Sequence, residues 1–209
     1  MTGLISKDLF ASQKYMMTFL AIGGMWLLIF YKQPFITFFA AIMIVLVSML
    51  PIFCMKSEHD YDWNMFVACT NVKREKIVAS RYAVYLIYLL GGMLIIQSVC
   101  LMIAFMIENM DYNLAWQLEV WFGIICTLLA SVMIPCIYKF GYDKTGKIMV
   151  ACWAVVAAII LIPSYLNIQM EINIEAGVMP MLIGAAVALA ALAASYFVSL
   201  SIYKKKYIG

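Results

Sequence analysis

The stretch Tyr82–Ile107, YAVYLIYLLGGMLIIQSVCLMIAFMI, runs without an Asp, Glu, Lys or Arg. At a helical rise of about 1.5 Å per residue, roughly 20 residues cross the ~30 Å hydrocarbon core of a bilayer, so this stretch is long enough to span one. Five further charge-free runs accompany it: Tyr15–Tyr31, Gln33–Met55, Val120–Tyr138, Ile148–Met170 and Ala176–Tyr203. Lipid offers no water to free backbone groups, so only helices and closed barrels span it. These runs are continuously apolar rather than alternating, which excludes a barrel. The expected fold is all-α, a polytopic membrane protein with six transmembrane helices.

Composition agrees. The chain is 67% hydrophobic with a mean hydropathy of +0.98, far above the soluble average of about 45–50% apolar. Its 209 residues form one membrane domain, with no segment left over for a soluble catalytic one. Six spans put both termini on one side. With the N-terminus in the cytoplasm, Lys32 is the one basic residue of 14 that falls outside, and the positive-inside rule therefore fixes both termini as cytoplasmic. The net charge of +3 reflects this topology. It implies anionic inner-leaflet lipid as the partner and no nucleic acid.

Between the runs, the polar segments have their own character. Residues 1–16 place Leu4, Ile5, Leu9 and Phe10 on one side and Ser6, Lys7, Gln13 and Lys14 on the other. That pattern predicts an interfacial elbow helix before the chain turns into the membrane. No small-residue cleavage site follows the first run, so it reads as a retained span. Residues 56–81 form the longest polar loop. Trp63, Phe66 and Val67 recur there at helical spacing, with Asp60, Asp62 and Asn64 on other faces. Thr70 or Asn71 can cap a second helix, which runs from Lys73 through Ile77 into the third span. Residues 139–147 form a second cytoplasmic loop. Asn113 is the expected cap of the fourth span, which places Glu119 near the outer interface within reach of water. There it is either an interfacial carboxylate near a helix N-terminus or a substrate contact.

Few residues offer chemistry. Gly141–Lys147 approaches the phosphate-binding pattern GxxxxGK[ST], but Ile148 replaces the hydroxyl residue and no strand precedes it. His59 is the single histidine, and the six cysteines match no disulfide or zinc spacing. Paired glutamates, HExxH and GxSxG are absent from the spans. The chain is expected to be no enzyme, with no catalytic, metal or cofactor-binding residues. Because no ionisable group lies inside a charge-free run, gradient-driven transport is disfavoured and an external motor is the natural inference.

The segment Glu58…Trp63…Thr70-Asn71-Val72-Lys73-Arg74-Glu75-Lys76-Ile77-Val78-Ala79-Ser80-Arg81-Tyr82 resembles type-2 ATP-binding-cassette (ABC) exporter permeases. Small bacterial members carry an acidic residue, Trp five places on, and then Leu-Pro-hydrophobic-x-Arg-x-x-Ile-Val-x-Ser-Lys-Tyr. Here Asn71 stands in the proline position and Arg81 in that of the lysine. Pro135…Tyr138-Lys139-Phe140-Gly141 looks like the family's second inner loop, and the resemblance covers the whole chain. It implies a separate ABC ATPase subunit, which would hold the ATP and Mg, and a second permease copy or a paralogue, with a homodimer as the simplest assembly. It also implies a multi-pass location in the plasma membrane of a bacterium. The loop 56–81 becomes the coupling element, with Glu58, Asp62, Trp63, Phe66, Val67, Asn71, Arg74 and Lys76 at the ATPase interface. The resemblance is closest to exporters of amphipathic peptides, the phenol-soluble modulins and lantibiotics. The competing readings are a stand-alone secondary transporter or channel, and a non-transport immunity or sensor subunit.

Overall fold

The computed structural model describes residues 2–30, 34–60, 73–106, 111–148, 150–151 and 178–206. Among these residues there are five long helices: α1 (Thr2–Phe30), α2 (Phe39–Asp60), α3 (Arg74–Met106), α4 (Tyr112–Phe140) and α5 (Val178–Lys206). A short 3-10 turn, Pro34–Phe38, leads into α2, and residues 142–148 are also helical. No strand occurs among the described residues.

Among the described residues, four segments are long and apolar enough to cross a membrane: Ile36–Met55, Arg74–Met106, Tyr112–Phe140 and Val178–Lys205. The apolar part of α1, Tyr15–Ile29, is a shorter fifth. The sixth expected run, 148–170, falls largely outside the described residues. α1 differs from expectation in one respect. It runs unbroken from Thr2 to Phe30, so the elbow and the first span are one helix, not two. Nothing between Lys14 and Tyr15 removes a backbone N–H or favours another conformation, and the helical ladder continues.

Contacts set the helix directions. Tyr15 and Phe19 of α1 meet Phe53 of α2, while Gly23 lies against Met43 and Phe39; these helices are antiparallel. Gly92 of α3 faces Val47 and Ile44 of α2, and Tyr85 of α3 bonds Thr127 of α4. α4 and α5 run parallel, because Ile124 meets Gly184 and Tyr138 stacks edge-on with Tyr203. The chain from residue 141 to residue 178 therefore joins opposite ends of the bundle. Every described lysine and arginine lies at the end where α1 and α3 begin and α2, α4 and α5 finish.

α2 is the axis of the bundle. Two-thirds of its apolar stretch (67%) is buried, against 22% for α3 and for α5. Its core residues Ala40, Ile44, Met49 and Ile52 pack in one cluster with Val78, Tyr85, Ala130, Met133 and Ile134. A Cβ at Gly92 would lie 2.6 Å from a Val47 methyl; only glycine lets α3 approach α2 this closely. The outward faces carry Leu94, Ile95, Phe105, Leu182 and Phe197 in exposed positions, as a lipid-facing surface requires.

α3 has 33 residues, about 50 Å of helix and well beyond the ~30 Å of a hydrocarbon core. The excess is at its N-terminal end, where Arg74–Arg81 precedes the charge-free run. The expected fusion of a charged helix to the third span is present.

Candidate functional site

The junction between the charged start of α3 and the bundle is built one residue at a time. Lys73 is not helical, and its carbonyl accepts from the Lys76 amide at 2.9 Å. Glu75 lies in the first turn, where a carboxylate complements the helix dipole, and is ion-paired with Lys204 Nζ at 2.8 Å. Both partners are largely exposed, so this pair orients the end of α5 more than it stabilises it.

One turn further on, the helix enters the core. Ile77 and Val78 are buried, and Ser80 Oγ donates to the Ile77 carbonyl at 2.8 Å. Arg81 is next, also buried, with its guanidinium 2.7 Å from Asp8 Oδ2. Lys7 Nζ stands 3.4 Å from the other carboxylate oxygen. Tyr82 turns the opposite way, toward α5. Its hydroxyl is hydrogen-bonded to Ser195 Oγ at 2.7 Å and Ser199 Oγ at 2.8 Å, and its ring meets Tyr196 edge-on. Further up α3, Tyr88 OH is hydrogen-bonded to Ser12 of α1, and Tyr85 OH donates to Thr127 of α4 at 3.3 Å. A single stretch, Ile77–Tyr88, is thus tied by polar side chains to α1, α4 and α5. A void of about 10 Å³, room for one water, lies beside the ion pair between Asp8, Pro51, Cys54, Arg81 and Ile134.

Of the expected interface residues, Arg74 is half-buried and Lys76 exposed, both on the first turn of α3. Glu58 belongs to the last turns of α2, while Asp62, Trp63, Phe66, Val67 and Asn71 lie outside the described residues. Sequence reading missed Asp8, and a signal was there. Leu4, Asp8 and Ser12 share a helical stripe with the apolar residues of the elbow, so a carboxylate stood on the face that packs.

Three further expectations are revised. The cap of α4 is Asp111, whose Oδ1 accepts from the Leu114 amide at 3.1 Å, in place of Asn113, which lies inside the helix. The near-match to a phosphate loop is a helix stop and restart. Gly141 ends α4 at φ 83°, its N–H donating to Ile137, and the Thr145 hydroxyl bonds the Gly141 carbonyl at 2.7 Å. Finally, Glu119 is not at a watery boundary. It is 1% exposed, on the same stripe as Ala115, Cys126 and Ala130, because starting the helix at Tyr112 turns this position toward the bundle axis. Neither carboxyl oxygen has a hydrogen-bond partner, and the buried amide oxygen of Gln97 on α3 has none either.

These long apolar helices, with the charged start of α3 tied to α1 and α5 by polar side chains, are those of a multi-pass membrane protein. The family described as ABC-2 family transporter protein matches residues 3–204, and the chain belongs to it. It is a multi-pass membrane protein and a permease subunit of an ABC transporter. No curated protein and no solved structure matches the chain.

Proposed function

We propose that this permease pairs with a separate ABC ATPase, which holds the ATP and Mg, and exports amphipathic peptides from a bacterial cell across the plasma membrane. Its lysine-rich end is cytoplasmic, and the loop 56–81 docks on the ATPase through Glu58, Asp62, Trp63, Phe66, Val67, Asn71, Arg74 and Lys76. Two permease copies, or one copy with a paralogue, enclose the substrate path.

The observation that carries this reading is the wiring of α3. A motor that pushes on a loop moves substrate only if the push reaches the membrane helices. Arg81–Asp8 passes displacement of α3 to α1, and Tyr82–Ser195–Ser199 passes it to α5. Packed elements of this kind shift as rigid bodies between discrete arrangements.

The test is Trp63→Ala and Phe66→Ala, scored for ATPase co-purification and peptide export. Buried aromatic anchors contribute about 2 kcal/mol or more at an interface, so each variant should weaken docking at least tenfold while still inserting normally. Wild-type complex formation and export in both would exclude this loop as the coupling element.

A further inference from the structure

Glu119 is a carboxyl enclosed in an apolar bundle with both oxygens unbonded. Such a group is stable as an anion only beside a positive partner. Among the described residues no basic side chain pairs with it, and all of those lie at the far end of the bundle. Its depth is about 10 Å from the start of α4, seven residues at ~1.5 Å each. On α3, Cys100 is buried, and Gln97, with its unbonded amide oxygen, is on the same face one turn away.

Next to these residues in register along α3 and α4, an apolar chamber of about 140 Å³ lies between α3, α4 and α5. Val120 and Gly123 line it on α4, immediately after Glu119 and one turn on, and Met93 lines it on α3, one turn before Gln97. Leu90 and Leu189, at its edge, are exposed, so it opens sideways on the lipid-facing surface. An unbonded carboxyl with an unbonded amide oxygen nearby on α3, and a narrow hydrocarbon-lined space next in register, match the shape and charge of an aliphatic stem ending in an ammonium group.

We propose that Glu119 and the chamber next to it in register form a binding site for a lysine side chain of an amphipathic peptide entering from the membrane, with Gln97 as a second acceptor. This rests on the exporter reading above and specifies its substrate as cationic.

The experiment uses the permease alone in zwitterionic nanodiscs, with a fluorescent leucine-lysine helical peptide and its fully lysine-acetylated form as probes, and empty nanodiscs as background. Wild type should bind the amine peptide at least tenfold more tightly than the acetylated one. Glu119→Gln, nearly the same size, should remove that preference without weakening the acetylated peptide. Gly123→Ala should weaken the amine peptide with Glu119 intact. Its new methyl would have neighbours at 3.8–4.0 Å, ordinary contacts that leave the fold unstrained. Equal binding of the two peptides by wild type, retention of the preference in Glu119→Gln, or unchanged amine binding in Gly123→Ala would each overturn the proposal. Because no ATPase is present, these results are independent of whether the loop 56–81 couples to one.

Discussion

Cutting the Arg81–Asp8 ion pair separates two roles that a buried pair can have, holding the fold and transmitting force. The charges are 2.7 Å apart with side chains 7% and 3% exposed, so water screens them little. Removing Arg81 takes from buried Asp8 its nearest counter-charge, and breaking comparable buried pairs costs about 3–5 kcal/mol. Arg81→Met should therefore lower stability by about that much, on the order of 10² or more in the folding equilibrium. The Lys7 ammonium near Asp8 places the loss toward the lower end of this range. Replacing both charges, Asp8→Leu with Arg81→Met, removes the buried carboxylate as well and should recover most of the stability. It does not restore a directional link between α3 and α1. The assay pairs SDS-induced unfolding, followed by helical circular dichroism, with ATP-driven peptide export in proteoliposomes. The expected pattern is a destabilised single variant, a near-native double variant, and export that stays uncoupled from ATP hydrolysis in the double. Full export in the stable double variant would show that the pair holds the fold but carries no motion. A single variant of wild-type stability would show that the pair is not enclosed as described.

Other outcomes follow from the same geometry. Tyr82→Phe leaves Ser195 and Ser199 without their shared partner and should cost about 1–2 kcal/mol, read by the same unfolding titration. Gly141→Ala forces a side chain onto backbone at φ 83°, with an expected cost of about 1–3 kcal/mol; native stability there would mean the helix stop adopts another conformation. In intact cells, cysteine at Asp111 should react with an impermeant thiol reagent and cysteine at Lys144 should not, and the reverse pattern would invert the membrane orientation.

The membrane fold was largely legible in the sequence, because burial in lipid imposes a one-dimensional rule. A run that is to cross hydrocarbon must exclude charge over its whole length, and Tyr82–Ile107 or Val120–Tyr138 shows this without any knowledge of neighbours. The continuous helix through Ile77 was legible for a related reason, since no glycine or proline interrupts residues 73–90. The family motif around Ser80-Arg81-Tyr82 marked the right stretch. Its purpose was hidden, because the partners are Asp8, 73 positions before Arg81, and Ser195 and Ser199, more than 100 after Tyr82.

Glu119 shows the limit most clearly. Its place at the edge of a charge-free run, in the first turns of the fourth span, suggested an interfacial carboxylate, yet helix rotation decides whether such a residue faces water, lipid or core. Rotation is set by packing, here by the close approach at Gly92 and the contacts of Gly123 with α2 and α3. The sequence alone determined that these helices cross a membrane and which end carries the positive charge. Tertiary packing alone decided that Asp8 and Arg81 meet, that Tyr82 reaches two serines of α5, and that a lone carboxyl is enclosed next in register to an apolar chamber. Hydrophobic length is a property of one segment, whereas the pairing of polar groups inside lipid depends on which faces of several segments come together.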